Sequence, residues 1–87
     1  MSAPVVLYTT RFCPYCVAAR DLLQRKKISY TDIPVDGQPE LRREMTERSG
    51  RHTVPQIWVG ENHVGGYDDL ALLERRGRLD ELLSSAP

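Results

Sequence analysis

The chain has no excess of charge. Twelve Lys and Arg offset twelve Asp and Glu over 87 residues, a formal net charge of zero. That excludes a chain-wide basic field for nucleic acid or an anionic membrane. Long hydrophobic runs are missing as well. Val5-Val6-Leu7-Tyr8 and Leu70-Ala71-Leu72-Leu73 fall far short of the ~18 residues a membrane span needs. There is no internal repeat, low-complexity tract or linker. Length alone sets one small domain over 1–87, because a chain this size buries roughly 60–68% of its unfolded surface in one core. Met1-Ser2-Ala3-Pro4 carries no charged n-region and no apolar h-region, so it does not read as a secretory signal. A cytoplasmic location is the expectation, where thiols stay reduced. Cysteine is scarce too, at two residues. In a reducing compartment these need an explanation other than a structural staple.

What is present alternates in period. Val5 to Thr9 is a short run with β-branched residues, suited to a buried strand. Cys16, Ala19, Leu22 and Leu23 then recur at helical spacing, and Pro14 fits a first helical turn. A helix is predicted over 14–27, and a second strand over 28–35 from Ile28, Tyr30 and Ile33. Asp36-Gly37 is a turn signal. Pro39 opens a helix over 40–48 that Gly50 stops. Gln56 to Val59 and His63-Val64 make a hairpin across Gly60-Glu61-Asn62. Asp68 and Asp69 start a closing helix with acids at its positive end. Its stripe is Leu70, Leu73, Leu79, Leu82 and Leu83, interrupted by Gly77. The predicted order is β-α-β-α-β-β-α. This is an α/β fold with a four-stranded mixed sheet flanked by helices on both faces.

The two cysteines form a Cys-x-x-Cys pair, Cys13 and Cys16, and they are not equivalent. Cys16 lies on the apolar stripe of the first helix. Cys13 sits just before that helix, where free N–H groups and the dipole favour an anion. An ordinary cysteine, pKa about 8.5, is only a few per cent thiolate at pH 7, and reaching half takes about 2 kcal/mol. The dipole supplies at most about 2 kcal/mol, so N–H···S contacts or a cation such as Arg11 must help. Cys13 is the predicted nucleophile and Cys16 the resolving thiol. Two other readings compete. A zinc site from Cys13, Cys16, His52 and His63 has the wrong ligand spacing for a finger, so no metal is expected. A merely structural pair of buried cysteines is the second.

Cys13-Pro14-Tyr15-Cys16 after a short strand, Thr53-Val54-Pro55 before the third strand, and Gly65-Gly66-Tyr67-Asp68-Asp69 together resemble the dithiol glutaredoxins, in particular the short bacterial glutaredoxin 3 subgroup. The likeness runs from about Val5 to Leu83. It implies a thioredoxin-like fold, glutathione as co-substrate and no tightly bound cofactor. It implies that Pro55 is cis and lies beside the cysteines. It also implies a glutathione groove of Arg11, Tyr15, Arg51, Thr53, Val54, Pro55, Gly66, Tyr67, Asp68 and Asp69. There Val54 would pair its backbone with the tripeptide, and Gly66 would allow close approach. Asp68, Asp69 and the helix amides would hold the γ-glutamyl end, while Tyr15 and Arg51 would face the glycine end. Plain helix capping is a competing role for the two aspartates. Where many relatives carry a lysine three residues before the nucleophile, this chain has Thr10, with Arg11 as a substitute; Tyr67 stands where relatives often have a third cysteine.

The implied activity is glutathione-dependent thiol–disulfide oxidoreduction. Its partners would be glutathione and disulfide-bonded or glutathionylated proteins, met by a monomer. Two alternatives stay open. One is a redoxin-type electron donor reduced by a flavoprotein reductase. The other is a dimer clasping an iron–sulfur cluster through Cys13 and glutathione. Arg75, Arg76 and Arg78 read as a solvated helix end, His52 and His63 as surface or hairpin residues, and Trp58 as a packing residue.

Overall fold

A computed structural model describes residues 3–84; the single-domain expectation over 1–87 extends past them at both ends. Four strands and four helices follow in the order β1 (Val5–Thr9), α1 (Pro14–Arg25), β2 (Thr31–Pro34), α2 (Pro39–Ser49), β3 (Gln56–Val59), β4 (Asn62–Gly65), α3 (Tyr67–Arg75) and α4 (Arg78–Ser84). The sheet order is β2-β1-β3-β4, with β1 parallel to β2 and antiparallel to β3, and β3 antiparallel to β4. Pro14 and Pro39 both stand in first helical turns, where a missing N–H costs nothing.

The period-two pattern of the strands sorts side chains onto two faces. Val5, Leu7, Ile57 and Val59 face one way and pack with Ala19, Leu22, Leu23, Leu70, Leu79 and Leu83 from α1, α3 and α4. Tyr8 and Trp58 face the other way and pack with Val35 and with Met45 of α2. Leu7, Leu23, Ile57 and Leu70 are wholly buried, each stabilising the fold by about 1.5–3 kcal/mol. Among the described residues no helix is long and apolar enough to cross a membrane.

Two elements differ from the sequence reading. The first helix ends at Arg25 and β2 begins only at Thr31. Lys27 takes a left-handed φ of 59°, and the Ile28 N–H donates back to the Leu23 carbonyl at 2.9 Å. Ile28 is thus spent closing the helix, in the manner of a Schellman cap, and does not begin a strand. The closing stripe is two helices, not one. Gly77 sits at φ 69° and its N–H donates to the Glu74 carbonyl at 3.0 Å, so the chain turns there and α4 starts afresh.

Candidate active site

The site is built where β1 runs into α1. Cys13 is the N-cap of α1, in extended backbone with φ −106° and ψ 114°. Its Sγ accepts the Cys16 N–H at 3.3 Å, one of the donors that a helix start leaves without an intrahelical partner. On its other side the Cys13 thiol donates to the Val54 carbonyl at 3.6 Å. The Val54–Pro55 peptide is cis. Cys13 is half-buried, while Cys16 is sealed from solvent beneath it. Burial, reinforced by the hydrogen bond with Cys13, pushes the Cys16 thiol up to about 12. Both thiols are free. One sulfur is therefore presented to solvent and the other is kept protonated behind it.

Beside Cys13 lies a cleft of about 300 Å³, walled by Tyr15, Arg51, Thr53, Val54, Pro55, Gly66, Tyr67, Asp68 and Asp69. Tyr15 and Tyr67 flank it with ring centroids 6.4 Å apart. A hollow of about 350 Å³ between Ala3, Pro4, Lys27, Ile28, Ser29 and Leu83 is larger. It holds neither thiol nor carboxylate, and chemistry rather than size selects the first.

Nine of the ten residues predicted for the groove line this one cleft. Arg11 does not. Its Nε pairs with Asp36 Oδ2 at 3.1 Å, so its guanidinium is committed to the turn before α2. That ion pair holds the Asp36 carboxyl below the usual carboxylate range. The substitution of Arg11 for the family lysine, and its help at Cys13, therefore find no geometric support. Arg51 lines the cleft but pairs with Asp69 at 3.2 Å, a partner the sequence reading placed at the opposite end. Asp69 also accepts the Gly66 N–H at 2.9 Å. Capping and cleft-lining thus coexist in one side chain.

Two features escaped the sequence reading. The first is that Gly65 has no room for a side chain. At Gly65 φ is 117° and an added Cβ would run into the Asp69 carboxylate, 2.9 Å from its Cγ, whereas at Gly66 it would lie 3.6 Å from the Pro55 carbonyl. The paired glycines were visible, but the crowding at Gly65 depends on where Asp69 folds back. The second feature is Gln56, a fully buried polar residue behind the cleft wall. Its place among the apolar residues of β3 was the available signal. Trp58 is buried and packs edge-on to Tyr8 at 5.3 Å. Among the described residues no group of three or more His, Cys, Asp or Glu is placed to hold a metal ion. His63 Nε2 lies 2.8 Å from Gln56 Oε1.

Comparison with known proteins agrees on one family. The Glutaredoxin family model matches residues 5–64. A glutaredoxin of Pseudomonas aeruginosa is 60% identical over 94% of this chain and 98% of its own length. Glutaredoxin 3 of Escherichia coli is 51% identical over 93% of this chain and 98% of its own. The solution structure of glutaredoxin from Brucella melitensis superposes with a TM-score of 0.84 at 52% identity, covering 94% of this chain and 89% of that one. The crystal structure of a buckwheat glutaredoxin–glutathione complex gives 0.87 at 26% identity, covering 94% and 77%. The fold is thioredoxin-like.

Proposed function

The chain belongs to the glutaredoxin family of disulfide oxidoreductases, and from that premise we propose that it uses glutathione and works through the Cys13–Cys16 dithiol. Its substrates are then protein disulfides and protein–glutathione mixed disulfides. The observation that carries this reading is the asymmetry of the pair beside one cleft. Cys13 Sγ meets the cleft wall at the Val54 carbonyl and a helix amide at Cys16, while the Cys16 thiol is buried.

With a mixed disulfide, the Cys13 thiolate attacks the glutathione sulfur. A Cys13–glutathione disulfide forms and the protein thiolate leaves. A second glutathione thiolate attacks the sulfur of the bound glutathionyl group, releasing glutathione disulfide and returning the Cys13 thiolate. With a protein disulfide, Cys13 attacks first and one protein thiolate leaves. Cys16 then loses its proton and attacks Cys13 Sγ. The second protein thiolate leaves, and a Cys13–Cys16 disulfide remains for two glutathiones to reduce. Where glutathione attacks the bound glutathionyl sulfur, Cys13 is the leaving group, so an anion-stabilising position there serves departure as well as attack.

In the cleft, the Val54 backbone pairs with the tripeptide as an added strand. Asp68, Asp69 and the first amides of α3 meet the γ-glutamyl ammonium and carboxylate. Tyr15, Tyr67, Thr53, Pro55 and Gly66 line the remainder. In this reading the protein acts as a single-domain monomer in the cytoplasm, with no resident cofactor. The test is turnover of a small glutathione mixed disulfide by wild type and Cys13→Ser. Glutathione-dependent turnover lost in the variant is expected. Turnover that persists in Cys13→Ser, or that needs a flavoprotein reductase in place of glutathione, overturns the reading.

A further inference from the structure

We propose that Gln56 and His63 are positioning residues for the glutathione site, a hydrogen-bonded strut from the edge of the sheet to the Thr53–Val54 wall of the cleft. The proposal rests on the glutathione reading above and deepens it. Neither residue lines the cleft.

Gln56 is polar, stands at the start of β3 and is wholly buried. A buried amide must place every polar atom. Its Nε2 donates to the Thr53 carbonyl at 3.0 Å and lies 3.1 Å from Thr53 Oγ1. The amide nitrogen thus faces two oxygens, which leaves Oε1 to accept. His63 Nε2 stands 2.8 Å from that Oε1, so Nε2 carries the hydrogen. The direction of the chain is therefore set: His63 on β4 donates to Gln56 on β3, and Gln56 donates to Thr53 in the loop.

The far end of this strut is anchored. The His63 ring lies on Trp58, centroids 4.7 Å apart and planes 33° apart. The Arg48 guanidinium also lies over the Trp58 ring, 4.6 Å from its centroid. The near end reaches the reaction. Thr53 and Val54 wall the cleft, and the Val54 carbonyl is 3.6 Å from Cys13 Sγ. The loop itself is short and partly exposed, with Thr53 open to solvent. A loop that must present backbone to a ligand gains affinity by being ordered beforehand. The strut supplies that order from the β3–β4 hairpin and touches no reacting atom.

Three variants separate this role from simple packing. Gln56→Glu keeps an acceptor for His63 but sets carboxylate oxygen against the Thr53 carbonyl. His63→Phe keeps a ring on Trp58 but removes the donor. His63→Gln removes the ring but keeps an N–H donor. Steady-state kinetics are taken at varied glutathione with a small mixed disulfide. Thermal melting and the iodoacetamide rate of Cys13 serve as readouts that need no glutathione. The expected result is a KM for glutathione raised about tenfold in Gln56→Glu and His63→Phe, equal to the loss of roughly one good hydrogen bond. The kcat and the alkylation rate should stay within about twofold of wild type. His63→Gln should retain the wild-type KM. If His63→Phe keeps KM and His63→Gln raises it, stacking is what matters and the strut is refuted. An unchanged KM in every folded variant refutes it too. Should Gln56→Glu fail to fold, the two His63 variants decide alone. NMR order parameters at Thr53 and Val54 test the strut even if the glutathione reading fails. A drop in His63→Phe but not in His63→Gln is expected, and equal values in both overturn the strut.

Discussion

Replacing Cys13 by serine isolates the buried thiol. In the wild-type chain Cys16 is raised from 9.0 to about 12, first by burial and then by its hydrogen bond with Cys13. At pH 7 a displacement of that size leaves about a thousandfold less thiolate than an ordinary cysteine has. Alkylation proceeds through the thiolate. Serine at position 13 removes the neighbouring thiol but leaves the first cause, because Cys16 stays on the buried face of α1 with no exposed surface. We therefore expect iodoacetamide to label Cys16 in Cys13→Ser at least a hundredfold more slowly than free cysteine at pH 7, a bound that concedes about one decade to the lost hydrogen bond. Wild type should take one label quickly, at Cys13, and mass spectrometry of the digest would locate it. Labelling of Cys16 in Cys13→Ser at the free-cysteine rate, with an intact melting transition, would refute the argument. The resolving role would then lose its basis, since Cys16 would compete with Cys13 for every incoming disulfide.

Three further outcomes follow from the same geometry. Cys16→Ser should keep deglutathionylation near wild type and lower protein-disulfide reduction by at least tenfold in an insulin-type turbidity assay, because only the second cycle needs a resolving attack; equal loss of both activities would contradict the scheme. Gly65→Ala should destabilise by roughly 1–3 kcal/mol, since φ 117° and the collision with the Asp69 carboxylate both forbid a side chain, while Gly66→Ala stays within about 1 kcal/mol of wild type on backbone entropy alone; urea midpoints compare them. The His63 imidazole is held below its ordinary 6.5, by burial first and then by Arg51 and Arg48 against the pull of Asp69. The unfolded chain therefore takes up a proton more readily than the folded one. Its contribution is present above pH 6.5 and fades as pH falls below it, so the urea midpoint of wild type should drop between pH 7.5 and 5.5 by more than that of His63→Phe.

How far the residues alone carried this picture depends on the range of each interaction. The β1–α1 unit was legible because its signals are local. Val5 to Thr9 form a short apolar run with β-branched residues, Pro14 opens a helix, and three residues of spacing put Cys16 on the stripe and Cys13 at the cap. The end of that helix was not, because lysine rarely takes the left-handed conformation that Lys27 adopts here, where Ile28 packs against the core. The cleft was legible through a resemblance rather than through periodicity. Thr53 to Pro55 and Gly66 to Asp69 are brought together by β3 and β4, whose register no local rule supplies.

Arg11 marks the limit of that reasoning. Next to Cys13 in sequence, it is the natural cation for a thiolate. Yet Asp36 lies across the β1–β2 crossover and offers both the Arg11 backbone N–H and its Nε an acceptor. Which partner an exposed guanidinium takes is decided by tertiary placement, and adjacency in sequence does not secure it. The same principle made Gln56 look out of place in an apolar strand. Its partners, Thr53 and His63, flank it at three and seven residues. They converge only because the chain turns at Val54–Pro55 on one side and folds back through the hairpin on the other. Polar residues buried in such a short strand are costly unless every hydrogen bond is made. The wall nearest the nucleophile is where this fold makes all of them.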